Sequence, residues 1–189
     1  VTKFIQFEGA SKPNAFEPLN YRWEFVTNRE EEVTSAIADE LLYQPAGLDW
    51  QVMGDPPLTF LWYNPRLGVE VLREETLNVY SLLQRQTGTD LNFQFALFEP
   101  DFQFCETITN EETQETSQVI PGRGELSCSI QQWADTLAEQ GIILNWIGTN
   151  DFEVRQNTLI DTILRQVYAE YWGTAVAPDW FTTGLSQLY

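Results

Sequence analysis

Histidine is absent from this sequence. Histidine is the usual general base near neutral pH and the commonest metal ligand. Its absence excludes Ser-His-Asp and Cys-His nucleophile systems. It also excludes zinc sites built on histidine. Basic residues are scarce, with Lys+Arg 10 against Asp+Glu 28 and a net charge of -18. The two lysines are Lys3 and Lys12, and no basic residue follows Arg165. A phosphate backbone needs clustered Lys and Arg, so nucleic acid is not an expected partner. An anionic membrane surface is disfavoured for the same reason. The acid excess suits a basic protein partner or a cationic ligand better. Its plainest reading is that it keeps an aromatic-rich protein soluble.

Cysteine is nearly absent too. Cys105 and Cys128 form no Cys-x-x-Cys pair, so redox and zinc-ribbon motifs are missing. Both are expected to be buried small hydrophobes. Their segments flank a predicted hairpin, so a bridge is geometrically conceivable. No apolar run has the length of a transmembrane helix. The N-terminus, Val1 to Gln6, lacks the apolar core of a signal peptide. No Asn-x-Ser/Thr sequon occurs. The expectation is a soluble, non-membrane protein, cytoplasmic or in an assembled virus particle, and not secreted by a signal peptide. A start at Val1 would suit a GTG start codon in a bacterial or phage gene.

What is present is a packed core. The chain has 189 residues, 43% hydrophobic, with seven Trp. A chain of this length buries roughly 70% of its unfolded surface. Leu19 to Val26 alternates and reads as a strand, as do Lys3–Glu8, Leu48–Met53 and Leu58–Tyr63. Thr27 to Glu30 has capping-box spacing and predicts a helix to about Tyr43, with Val33, Ala36, Ile37, Glu40 and Leu41 on its stripe. Further helices are predicted over Leu72–Gln86, from Ser129 to Gly141, and from Asn150 to Trp172. The last carries the stripe Ile160, Ile163, Leu164, Val167 and Tyr171, with Asp161 and Arg165 as an i,i+4 pair. Leu91–Phe98 reads as a half-buried strand and Ile142–Ile147 as an apolar one. The interleaving predicts an α+β fold, a mixed or mainly antiparallel sheet with about four helices in one domain. That domain spans 1–172, with a hairpin arm at about 102–120 and an aromatic tail at 173–189.

Catalytic, cofactor and metal motifs are not found. Gly122 and Gly124 precede a helix, but the third glycine of a dinucleotide loop and the Walker lysine are missing, so a turn or linker is expected. No calcium loop appears. Carboxylates beside aromatics, Asp49–Trp50, Asp179–Trp180 and Glu170 before Tyr171–Trp172, are the pieces a glycosidase or sugar-binding module would use.

Two features favour interaction with protein subunits. The run Thr109 to Gln118 is polar throughout and carries Glu111, Glu112 and Glu115 at a predicted hairpin tip. The C-terminal tail carries Trp180, Phe181, Leu185, Leu188 and Tyr189. Such a terminus packs on its own domain or docks on a neighbour. The reading reached is a non-enzymatic structural or adaptor subunit of a larger assembly, with a bacteriophage virion or phage-tail-like component as its leading example. The alternatives are the carbohydrate module and an acidic nucleic-acid mimic that inhibits a DNA-binding protein.

Overall fold

The computed structural model describes residues 13, 15–19, 24–26, 32–34, 41–44, 48–110, 112–120, 124–125, 128–173 and 177–186. Along the chain come β1 (Pro18–Leu19), β2 (Glu24–Val26), β3 (Glu32–Thr34) and β4 (Leu41–Leu42). Then follow β5 (Gln51–Met53), β6 (Leu58–Trp62), a 3-10 turn (Pro65–Leu67), α1 (Val69–Thr87) and β7 (Phe93–Phe98). Next are β8 (Glu106–Thr109), β9 (Thr116–Ile120), β10 (Gly124–Glu125) and α2 (Ile130–Ala138). The chain closes with β11 (Ile142–Trp146), α3 (Phe152–Trp172) and α4 (Asp179–Ser186). This is a mixed α+β fold with four α-helices among the described residues, as the interleaved pattern predicts. Contacts group it into two compact units, 1–48 with 103–140, and 49–102 with 141–189.

The second unit carries the main sheet, of order β11-β7-β6-β5. β5 runs antiparallel to β6, while β6–β7 and β7–β11 pair in parallel. The β5–β6 turn needs glycine. Gly54 has φ +86°, and a Cβ there would sit 2.8 Å from the Leu58 carbonyl oxygen. β6 and β7 are near-continuous apolar runs because parallel strands are covered on both faces. On one face Leu58, Phe60, Phe93, Phe95 and Leu97 meet α1 and α3 in a single core. On the other, Leu61, Ala96 and Phe98 are also buried. Leu91–Phe98 is therefore not half-buried as its alternation suggested. Phe98 packs edge-on against Trp50 (5.1 Å) and Phe102 (4.6 Å).

The two long helices form where capping and stripe agree. α1 starts at Val69, three residues earlier than predicted, because the turn capped by Asn64 hands directly into it through Gly68. Gly88, at φ +72°, ends it. The Asp151 side chain accepts from the Val154 N–H (3.2 Å) and caps α3. The buried stripe of α3 is Leu159, Ile160, Ile163, Leu164 and Val167, with Arg155 at its start. Tyr171, placed on that stripe by its spacing, is 54% exposed, because α3 runs past the edge of the core there. Arg165 pairs with Asp161 at 2.6 Å, as the spacing predicts.

Tyr80 shows how a polar core residue is held. Its hydroxyl donates to the Leu91 carbonyl (2.8 Å) and accepts from the Leu91 N–H (2.9 Å). Burial, the largest cause, raises its pKa. The folded state thus favours the neutral phenol, and this contribution is intact below pH about 10, the unfolded value. It is lost as pH rises through the raised folded value. From pH about 10 up to that raised value, stability should fall more steeply in the parent than in Tyr80→Phe, as urea midpoints across the alkaline range would show.

In the first unit, β8, β9 and β10 form an antiparallel sheet, and β1–β4 and β2–β3 are antiparallel pairs. The helix expected from Thr27 to Tyr43 is not found where the chain is described. Val33 pairs across from Phe25 in the β2–β3 ladder, and Leu41 from Leu19 in the β1–β4 ladder. Cross-strand partners and the β-branched pair Val33–Thr34 outweigh the helical spacing of isolated apolar residues. Gly124–Glu125 adds a strand beside Val119–Ile120, so part of the glycine segment is sheet rather than turn. The expected strand Lys3–Glu8 lies outside the described residues.

α2 is capped by the Ser129 hydroxyl, which accepts from the Gln132 N–H (3.1 Å). It buries Trp133, Thr136 and Leu137, while Ile130 stays 36% exposed in the first turn. The cysteines are not free. Cys105 and Cys128 form a disulfide across a Cα–Cα distance of 5.6 Å, tying together the two ends of the β8–β10 segment. The Cys105→Ser/Cys128→Ser double variant is expected to lose about 3 kcal/mol in urea unfolding, the loop-entropy value for a closed loop of this size.

Candidate functional site

The predicted tail is a helix laid on α3. α4 packs against α3, with Ala177 and Thr182 buried and Leu185 against the main core. Phe181 packs edge-on against Tyr168 (4.8 Å) and tilts against Trp172 (4.9 Å). Arg165 bridges to Asp179 at the start of α4 while holding Asp161. The described tail therefore packs on its own domain through Phe181 and Leu185. Leu188 and Tyr189 lie outside the described residues.

Docking α4 leaves an aromatic ledge. Trp180 is 77% exposed, Tyr171 54% and Trp172 42%. Trp180 touches the ring of Phe181 (5.7 Å), so its indole rests on the docked side chain while its outer face meets water. Burying such an indole yields roughly 25 cal/mol per Å² of apolar surface. Exposed clusters of large aromatics mark interaction sites. The sequence points to Trp180 but misplaces Tyr171 in the core. The signal available was its position at the last turn of α3, where a core stripe runs out.

The acidic arm is the second predicted element. Asn110 organises its tip, its N–H donating to the Glu115 carbonyl (2.8 Å) and its side chain accepting from the Glu112 N–H (2.9 Å). Gln114 adopts φ +58° in that turn. Glu112 and Glu115 are exposed on the tip, and Glu111 lies outside the described residues. The tip is thus a fixed turn bearing carboxylates.

Of the carbohydrate pieces, Asp49 is exposed but Trp50 is buried, so that pair offers no platform for a sugar ring. Asp179 is engaged by Arg165, and Glu170 is exposed on α3. Trp172 and Trp180 both touch the ring of Phe181, and Tyr171 joins them through Tyr168.

A polar cleft of about 280 Å³ in the second unit was not foreseen. It opens where β6, β7 and β11 end, and residues after those strands line it: Asn64 and Arg66, Glu99 and Asp101, Asn150 and Phe152. Side chains beyond the carboxyl ends of parallel strands are where α/β sheets place ligands. Arg155 reaches it from the first turn of α3 and is 2% exposed. Its Nη1 donates to the Asn145 side-chain oxygen (2.8 Å) and main-chain oxygen (3.3 Å), and its Nη2 to the Phe98 carbonyl (2.9 Å). Among the described residues no carboxylate reaches salt-bridge distance of it. Burial lowers its pKa, with Tyr63 and Glu99 opposing. The Asn64 side-chain amide donates to the Glu99 carboxylate, and the Glu99 N–H donates to the Tyr63 hydroxyl (3.0 Å). No cluster of three metal-ligating side chains occurs among the described residues, and no helix among them is long and apolar enough to cross a membrane. No protein-family model, curated protein or solved structure matches this chain.

Proposed function

We propose that this chain is a non-enzymatic structural or adaptor subunit of a larger protein assembly. The observation that carries the reading is the set of exposed aromatics Tyr171 and Trp172 at the end of α3 and Trp180 on α4, carried by two helices whose inner faces are buried. Tyr and Trp are the residues that anchor interface cores. The acid around the ledge and on the arm suits a partner with basic surfaces, which steers encounter more than it adds affinity. The disulfide supports a setting outside the reduced cytosol, such as the surface of a virus particle, and a bacteriophage virion or phage-tail-like machine is a setting of that kind.

Light scattering of the full chain beside Tyr171→Ser/Trp180→Ser tests it. A defined oligomer from the parent and a monomer from the folded variant support the reading. Two compact monomers remove self-assembly through the ledge. A Trp fluorescence shift with polysaccharides, lost in the same variant, would instead favour the carbohydrate-binding module, for which an exposed indole is equally suited.

A further inference from the structure

The cleft beyond β6, β7 and β11 holds charge of both signs in balance, within a chain that is acidic almost everywhere. Arg66 and Arg155 face it together with Glu99 and Asp101. Its floor is a buried guanidinium whose hydrogen bonds among the described residues all go to neutral oxygens, with the Glu99 carboxylate acting on it only from beyond salt-bridge distance. Three hydrogen bonds occupy three of its five N–H groups, leaving Nε–H and one Nη2–H without a partner among the described residues. A buried charge with no counter-ion in hydrogen-bonding contact is costly, and an anionic group brought into contact with it offsets that cost. Arg66 is exposed at the mouth and adds a second cation.

A lone anion is poorly matched, because Glu99 and Asp101 would repel it. A metal cation is poorly matched, because two arginines would repel it. A molecule with one carboxylate and one ammonium satisfies both halves. Asn64 holds the Glu99 carboxylate, and its own side-chain oxygen accepts from the Arg66 N–H (2.8 Å), so the acidic half is fixed to the turn that carries Arg66. Asp101 stands exposed at the rim, and Phe152, 38% exposed, offers an apolar wall. A cleft of about 280 Å³ lies just below the range for drug-sized ligands and suits a small metabolite. We infer that this cleft binds a free α-amino acid or a close zwitterionic relative, its carboxylate toward Arg66 and Arg155 and its ammonium toward Asp101 and Glu99.

The test is calorimetric titration of the full chain with each of the twenty common L-amino acids. Acetate, methylammonium and inorganic phosphate serve as single-charge probes. The expected result is binding of at least one amino acid with Kd about 1 mM or tighter, a free energy of roughly -4 kcal/mol. Each single-charge probe should bind at least tenfold more weakly. Asp101→Asn and Arg66→Ala, both at exposed positions, should each weaken the amino acid about tenfold or more while leaving the thermal midpoint unchanged. Arg155→Lys keeps the charge but not the fork, and should weaken it too. The inference is overturned if no amino acid binds at millimolar concentration. It is equally overturned if acetate or phosphate binds as well as the amino acid, or if the Arg66 and Asp101 variants bind like the parent. None of these outcomes depends on oligomeric state, so the cleft stands or falls separately from the aromatic ledge.

Discussion

Phe95→Ala is expected to destabilise the chain by about 4 kcal/mol, within the range for emptying a buried aromatic site. Phe95 is fully buried at the centre of β7. Its ring stacks with Phe60 at 5.6 Å and Phe93 at 6.0 Å. Parallel partners flank β7 on both sides, so the backbone has little freedom to collapse into the space left behind. The thermal midpoint should fall by roughly 10 °C in a chain of this size. Val52→Ala, at a position 56% exposed on β5, should change stability by less than about 0.5 kcal/mol. Comparable losses from the two variants would place the core elsewhere.

Arg155→Ala should be nearly as damaging, at about 3 to 5 kcal/mol. Two causes add. The side chain leaves a hole at the base of α3, and three oxygens, two on Asn145 and one on Phe98, lose the hydrogen bonds that Arg155 donates to them. Arg155→Met separates the causes, because it fills most of the volume without restoring the hydrogen bonds. It should recover part of the loss, and it also relieves the burial of a charge. Urea midpoints of the three proteins give the comparison. If Arg155→Ala costs less than about 1 kcal/mol, the guanidinium is not the tie between α3 and the strand ends that its bonds describe.

What could be read in the residues was local and periodic. α1 and α3 announce themselves by stripes, caps and closing glycines, and β6, β7 and β11 by their apolar runs. The three parallel strands were harder to see, because the crossover from β7 to β11 contains β8–β10 and α2 instead of a single helix. The segment from Thr27 to Tyr43 was misread because Val33, Ala36, Ile37 and Leu41 fit a helical period, while the partners that make Val33 and Leu41 strand residues lie earlier in the chain. The disulfide joins residues 23 positions apart, and no local pattern records such a closure. The sequence marks the tail as aromatic but not as a helix, and which rings turn inward depends on α3 beneath it. The cleft was invisible for the same reason. Asn64, Glu99, Asp101 and Arg155 are ordinary surface residues by type, and only the sheet brings their segments to one end.

The bridge between Cys105 and Cys128 also bears on the order in which the chain can assemble. Ile142 to Trp146 must find Gln94 to Phe98 across the whole intervening segment. The entropy lost in that search grows with the logarithm of the span. A cross-link spanning 23 positions inside the segment roughly halves the effective path, which lowers the closure cost by about 0.6 kcal/mol. Oxidation thus shortens a closure made by residues other than the cysteines themselves. It makes the last parallel strand a nearer neighbour of its partner β7 than its place in the chain implies.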